Sequence, residues 1–197
     1  MVGLADRAER VPYSIASAPD EVEQSGQLEF LMKVESSGRW GHLFDRISRG
    51  QRVAVNGPFG SFAFPARTGS RPLLFIAGGT GVAPVRAMIV HALAREHGPI
   101  KLLYSAKASA ELAYARELRR LSARTDFDVR LHATREAPAG WRGTRSRITA
   151  AHIEPLLDGP SPLCFVCGPG AMVAEVPAIL RRLDVPARNI TLETWKT

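Results

Sequence analysis

The chain has 197 residues, enough for one large domain or two small ones. Hydrophobic residues make up 45% and charged residues 23%, an ordinary globular mix. The excess of 26 Lys and Arg over 19 Asp and Glu gives a net charge of +7, which suits anionic ligands or acidic protein partners. A surface that is simply basic fits the same charge. Nucleic acid is the weaker partner class, because no Lys/Arg run is interleaved with aromatic residues. No apolar stretch is long enough to span a membrane, and the N-terminus lacks the apolar core of a signal peptide. The default reading is a reduced, cytoplasmic protein.

Residues 1–63 read as all-β with little helix. "QLEFLMKVE" (27–35) alternates like a half-buried strand. "GHLFDRIS" (41–48) suits a short helix closed by Gly50, and "QRVAVNG" (51–57) suits another strand. "GPFGSFAF" (57–64) carries two glycines and a proline, the marks of a turn. "PARTGSRP" (65–72) is polar and rich in Gly and Pro, so it reads as a linker. Two domains are therefore expected, 1–68 and 69–197.

The rhythm changes after the linker. "PLLFIA" is a continuous apolar run, as in a strand buried on both faces. A glycine loop follows, then a helix predicted from Pro84 with one buried face formed by Val85, Met88, Ile89, Ala92 and Leu93. "IKLLYS" is a strand, "ASAELAYARELRRLS" a helix, "FDVRLHA" a strand and "TAAHIEPLLDG" a short helix. "PLCFVC" is a strand, and "GAMVAEVPAILRRLD" a helix that Pro177 should bend or loosen. "NITLETW" closes as a strand. Regular alternation of strand and helix predicts a doubly wound α/β parallel sheet.

Ligands of such a sheet sit at the carboxyl ends of its strands. Three of these ends are unusual. "AGGTGVAP" (77–84) places Gly78, Gly79, Thr80 and Gly81 before a helix N-terminus, which favours anions, although it is not a GxGxxG fingerprint. "CGPGAM" (167–172) repeats the strand–glycine–helix pattern, so both loops are expected to wall one crevice. "HATREAPAGWRGTRSRIT" collects Arg135, Arg142, Arg145 and Arg147, which suits phosphate groups or a solvated basic loop. Cys164 and Cys167 lie three apart on a predicted strand and so face opposite sides. Two thiols cannot hold the usual four-thiolate iron–sulfur cluster, and the five histidines show no metal-ligand spacing. No metal site is expected.

The ordered set "PYSIAS", "GPFGSF", "AGGTGVAP", "CGPGAM" and "ETW" resembles the ferredoxin–NADP reductase superfamily over nearly the whole chain. The resemblance implies an antiparallel flavin-binding β-barrel joined to a nucleotide-binding α/β domain. It implies hydride transfer between NAD(P)H and a flavin, and single-electron transfer between the flavin and a protein partner. Tyr13 matches the residue that lies against the flavin ring, and Ser14 the hydroxyl near flavin N5. Ser17 closes the same stretch and joins the cofactor-binding set. The family's phosphate-neutralising arginine falls at Val11. Arg10 stands one residue away, on the opposite face of a strand unless a local bulge turns it inward.

The family's Gly-x-x-Ser pyrophosphate motif matches Gly38 to Gly41, with Gly41 in place of the serine. The backbone N–H groups of Gly41 and His42 remain able to hold a phosphate. Gly78, Gly79, Thr80 and Gly81 match the loop for the nicotinamide nucleotide. Cys167, Gly168 and Pro169 match the loop beside the nicotinamide and flavin N5. Glu193 and Trp195 match the C-terminal acid and aromatic. Thr134 and Arg135 resemble the pair that holds the 2′-phosphate of NADPH.

The implied catalytic set is Ser14, Cys167 and Glu193. The implied cofactor is FAD, with FMN less favoured, and NADPH is favoured over NADH. The implied partner is an acidic carrier: ferredoxin, flavodoxin or an oxygenase component. Family barrels close with about six strands, and only 12 residues precede Tyr13, so the barrel is expected to be partial and to lack its first strands. A second hypothesis follows from Val11 and Gly41. It is a flavin-poor, non-catalytic subunit of the same fold that acts as an interaction protein.

Overall fold

Leu73–Gly78, all of it buried, forms the central strand β3 of a five-stranded parallel sheet. The computed structural model describes residues 1–5, 9–33, 47–123, 126–157 and 159–195. In chain order the rest of this sheet is β4 (Ile100–Ala108), β5 (Phe127–Glu136), β6 (Leu163–Pro169) and β7 (Ile190–Trp195). The spatial order is β5-β4-β3-β6-β7, so the winding reverses at β3. The reversal puts the loops leaving β3 and β6 side by side, the position at which open α/β sheets bind ligands.

The connections that cover the sheet are α2 (Val82–Leu93), α3 (Ala115–Leu121), α4 (Ala150–Ile153) and α5 (Gly170–Arg182). Alternate residues of each strand feed two cores. Leu73, Phe75 and Ala77 join Val85, Ile89 and Leu118 on one face. Leu74 and Ile76 join Ile153, Val176 and Leu180 on the other. Cys164 and Cys167 fall in different cores, as the period of two requires. Both are buried, and burial pushes the Cys164 thiol up to about 12.

The first part of the chain makes a small antiparallel sheet of β1 (Val2–Leu4) and β2 (Val53–Val55). Phe62 and Phe64 then run onto the α/β core. Their rings lie 6.3 and 5.8 Å from that of Phe165, which itself stacks 5.1 Å from Phe75. This aromatic column fixes the end of the N-terminal part on the larger sheet.

Several local expectations change. Residues 27–33 form no regular strand: the contact is a single antiparallel bridge, Ile15↔Phe30, with the Ala16 amide donating to the Glu29 carbonyl. The helix expected over 41–48 lies mostly outside the described residues. A helix not anticipated, α1, occupies Pro19–Ser25. Pro19 starts it, the Glu21 carboxylate accepts from the Ala18 amide at 2.7 Å, and Gly26 ends it at φ 67°.

Helix α2 begins at Val82, two residues before Pro84, after a 3₁₀ turn over Gly79–Gly81. The helix expected over 108–122 is broken at Tyr114, which has φ 60° and separates a 3₁₀ turn (Ser109–Glu111) from α3. Helix α5 runs through Pro177 without interruption.

Strand β5 carries one buried titratable group that faces α4. His132 is 1% exposed, and its ring meets that of His152 edge-on at 4.7 Å. Burial, and then the charge of His152, lowers its pKa to about 4 from 6.5. The unfolded chain therefore binds this proton near pH 6.5, and the native protein only near pH 4. The contribution of His132 to stability is complete above pH 6.5 and is lost as the pH falls towards 4, to a limit of roughly 3 kcal/mol. Urea unfolding at pH 7 and pH 4.5 checks this. His132→Leu is expected to show a clearly smaller loss of stability between the two pH values than the wild type, and equal losses would remove His132 as the cause.

Candidate functional site

The loops after β3 and β6 meet backbone to backbone. A Cβ built on Gly81 would fall on the carbonyl of Cys167 and within 2.9 Å of the Gly168 amide nitrogen. A Cβ on Gly168 would lie 3.1 Å from the Cα of Gly78. A Cβ on Gly78 would lie 2.7 Å from Pro169 Cδ and 3.0 Å from Met172 Sδ. Gly79 is different. It has φ 55° and open space around it, so its need is conformational rather than steric. The two loops are therefore in direct contact. Met172, absent from the expected set, fills the gap between the glycines. Its place four residues after the expected loop start at Gly168 is its signal in the sequence.

At the same end of the sheet, three residues from distant parts of the chain converge. The Ser14 hydroxyl donates to Glu193 Oε2 at 3.3 Å, and the Cys167 thiol donates to the same oxygen at 3.6 Å. Cys167 and Glu193 are register partners on β6 and β7, and the Ser14 segment lies across them. Cys167 is buried, while Ser14 and Glu193 are half-buried, so the carboxylate joins a closed site to water. Tyr13, next to Ser14, is half-buried, and burial raises its phenol pKa. Trp195 pairs through its backbone with Pro169.

A separate cleft of about 520 Å³ opens past the ends of β4 and β5. Its lining includes Ser109, Arg135, Glu136 and Arg145, with Thr134 one residue inside. Arg135 and Arg145 are both exposed, and the Arg145 guanidinium donates to the Pro138 carbonyl at 2.6 Å. Residues 142–147 are kept close by a bridge between His132 and Thr144. The arrangement offers two exposed guanidinium groups, one of them fixed, and a hydroxyl to an anion. Ser109 was not anticipated. Its signal is its place just after strand β4, at the ligand-binding edge.

The remaining expected residues lie elsewhere. Val11 pairs with Val2 through reciprocal backbone bonds of 2.7 and 2.8 Å. Arg10 folds back over Gly3, and its Nη1 donates to the carbonyls of Leu4 and Glu9 at 3.3 and 2.9 Å. The Ser17 hydroxyl is buried and accepts from the Glu29 amide at 3.1 Å. Gly38, Gly41 and His42 lie outside the described residues. Thr80 is half-buried in the 3₁₀ turn beside Gly81.

Comparison with known proteins gives the family. Residues 75–177 match the family model Oxidoreductase NAD-binding domain, and residues 3–64 match Oxidoreductase FAD-binding domain. Ferredoxin–NADP reductase B of Sorangium cellulosum is 31% identical over 195 residues, which cover 93% of this chain and 77% of that protein. An NADH-cytochrome b5 reductase-like protein of Emericella nidulans is 30% identical over 166 residues, or 83% of this chain. The chain spans only 35% of the length of that relative. Among solved structures, the Amycolatopsis cytochrome P450 reductase GcoB superposes with a TM-score of 0.84 at 27% identity, over 98% of this chain and 58% of that one. With both domain matches in the expected order around the converging Ser14, Cys167 and Glu193, the chain belongs to the ferredoxin–NADP reductase superfamily of FAD- and NAD-binding oxidoreductases.

Proposed function

We propose that this protein is a flavoprotein reductase that moves a hydride between NADPH and FAD and delivers electrons to a separate acidic carrier, a ferredoxin, a flavodoxin or an oxygenase component. The observation that carries the reading is the convergence of Ser14 and Cys167 on one carboxylate oxygen of Glu193, beside the paired glycine loops. Residues 1–68 serve as the flavin part and 69–197 as the nucleotide part.

The residues present fit both groups. Gly78, Gly79 and Gly81 leave the backbone bare where a nucleotide approaches. Tyr13 offers an aromatic face to a planar ring, and Ser14 a hydroxyl that both donates and accepts. Bound FAD supplies the chemistry that takes two electrons as hydride and releases them singly. Gly168 and the buried Cys167 let two rings approach closely. The Ser14 hydroxyl donates a hydrogen bond to Glu193, whose half-exposed carboxylate can exchange protons with water. Thr134 and Arg135 are placed for the 2′-phosphate of NADPH, because an arginine suits a phosphate dianion better than the carboxylate that binds a 2′-hydroxyl. The net charge of +7 favours encounter with an acidic carrier. No described helix is long and apolar enough to cross a membrane. The two buried cysteines suit a reducing compartment, which we take to be the cytoplasm.

One observation favours a second reading. The Arg10 guanidinium is engaged by backbone carbonyls instead of standing free for a phosphate. A flavin-poor subunit acting as an interaction protein would follow. Visible absorbance separates the two readings. Protein mixed with FAD and freed of excess is expected to keep the flavin bands and to lose them on adding NADPH without oxygen. A colourless product would leave only the second reading.

Two substitutions test the assignments within the site. Tyr13→Ala removes the aromatic face and is expected to weaken FAD retention about tenfold, a loss of about 1.4 kcal/mol. Unchanged retention takes Tyr13 out of the site. Arg135→Ala is expected to raise the KM for NADPH by roughly ten- to a hundredfold and to leave that for NADH within about twofold. Steady-state kinetics with both nucleotides decide this, and equal effects would refute the 2′-phosphate role.

A further inference from the structure

Arg86 lies in the first half of α2, is 6% exposed, and has no part in the reading above. Its partners come from three other segments. Nη1 donates to the Ala16 carbonyl at 2.8 Å and to Glu21 Oε2 at 2.8 Å. Nη2 donates to Glu21 Oε1 at 2.8 Å and to Glu117 Oε1 at 2.6 Å, and Nε donates to Glu117 Oε2 at 2.9 Å. The guanidinium carbon stands 5.2 Å from the centre of the Tyr114 ring. The Tyr114 hydroxyl in turn donates to Glu29 Oε1 at 2.6 Å. Burial alone would lower the pKa of Arg86, but the hydrogen bonds and charges of Glu21 and Glu117 outweigh it and raise it.

The placement matters because of what Ala16 belongs to. Ala16 is two residues beyond Ser14, in a segment that runs without a regular ladder on either side. The local backbone ties of 14–18 are the Ile15↔Phe30 bridge, the bond from the Ala16 amide to the Glu29 carbonyl and the first turn of α1. These hold it to its own part of the chain. Among the described residues, the ties from 14–21 to the α/β part include the Ser14–Glu193 bond, the Arg86 cluster and an exposed ion pair from Arg95 to Asp20 at 2.6 and 2.8 Å. The Ser14–Glu193 bond is long, at 3.3 Å, and half-exposed. The Arg86 cluster is short and bidentate to two partly exposed carboxylates, with the guanidinium itself buried, the geometry in which a guanidinium is most directional.

The geometry points to Arg86 as a positioning residue that locks the Tyr13–Ser14 segment against the α/β part and so sets how closely flavin and nicotinamide approach. The inference rests on the flavin and nucleotide reading above. A displacement of about 1 Å between reacting groups can cost roughly a hundredfold in rate. An anchor three residues from Tyr13 is therefore rate-determining geometry rather than plain scaffolding.

The test uses the full chain and two kinds of measurement. Without cofactors, hydrogen–deuterium exchange compares residues 13–18 with strands β3 and β6. Arg86→Met is expected to speed exchange at 13–18 by at least about tenfold and to leave β3 and β6 unchanged, since only the local tie is lost. In the FAD-loaded protein, NADPH affinity is expected to stay within about threefold. Single-turnover flavin reduction is expected to fall at least about tenfold, with loss of the long-wavelength nicotinamide–flavin charge-transfer absorbance. Arg86→Lys keeps the charge but cannot fork between two carboxylates, and should give an intermediate rate.

Glu117→Gln leaves the guanidinium on Ala16 and Glu21 and serves if the Met variant does not fold. It is expected to show the same local loosening to a smaller degree. Exchange that rises equally in the central sheet, or flavin reduction within twofold of wild type, would overturn the positioning role. Failure of the wild type to take up FAD would defeat the functional reading instead, and the exchange measurement would still decide whether Arg86 is the lock.

Discussion

The contact on which the site depends is the one between two pieces of backbone, Gly81 against the Cys167–Gly168 peptide. It exists because β3 and β6 are neighbours at the point where the sheet reverses its winding. Their loops leave the same edge side by side, and no side chain fits between them. The glycines are thus a steric requirement of the topology before they are a ligand site. The same closeness has a chemical consequence. It strips the backbone at the sheet edge of bulky side chains. Cys167, next in line, is small enough to remain buried in the core and still offer its thiol to Glu193.

Around that contact the molecule is asymmetric in how it is held. The α/β part rests on two cores that close on both faces of a continuous apolar sheet. Among the described residues, the N-terminal part has two three-residue strands, and Val53, Val55 and Phe59 are exposed, Phe59 to 75%. Its attachment is by aromatic stacking on Phe165 and by polar links, chiefly the Arg86 cluster and the Ser14–Glu193 bond. Polar links are directional and apolar burial is not. The part held by directional links carries Ser14, whose hydroxyl reaches Glu193 across the sheet edge.

What could be read in the sequence follows the same division. The strands of the parallel sheet were legible because a fully apolar run bounded by glycine has few other uses, and the two glycine loops were legible as a pair. The opposite facing of Cys164 and Cys167 followed from the period of a strand. Other features depend on events that periodicity does not carry. The helix 108–122 looked continuous because alanine and leucine favour it, yet Tyr114 takes φ 60° and its ring lies under Arg86. The run 27–35 alternates like a strand, but over its described residues it gains only one bridge. Helix α1 was missed although Pro19, Glu21 and Gly26 signal it, because no apolar face accompanies them and none of its residues is buried. The convergence of Ser14 on Glu193 joins residues 179 apart, so family resemblance and not local pattern brought them together. Arg86 reads in sequence as one polar residue on an amphipathic helix, and nothing nearby reveals that it is buried among partners up to 70 positions away.

The displaced arginine shows how the two parts bear on one another. Val11 is fixed by its pairing with Val2, so the position that matches the family's arginine carries no charge. Arg10 is tied instead to carbonyls of β1 and its neighbour, where Gly3 leaves no room for a side chain. Those bonds add to β1, which is otherwise held by a three-residue ladder with β2 and the Val2–Val11 bridge. Drawing the guanidinium to a phosphate would break them, so a phosphate contact would come at the cost of the small sheet. A ligand that binds only the folded form stabilises it by RT ln(1 + [L]/Kd), about 2.7 kcal/mol at a hundredfold excess over Kd. That is larger than the roughly 1 kcal/mol that a single hydrogen bond contributes. On the flavin-binding reading, the order of the N-terminal part and the retention of flavin form one linked equilibrium, with the α/β part, complete in its own cores, as the fixed platform.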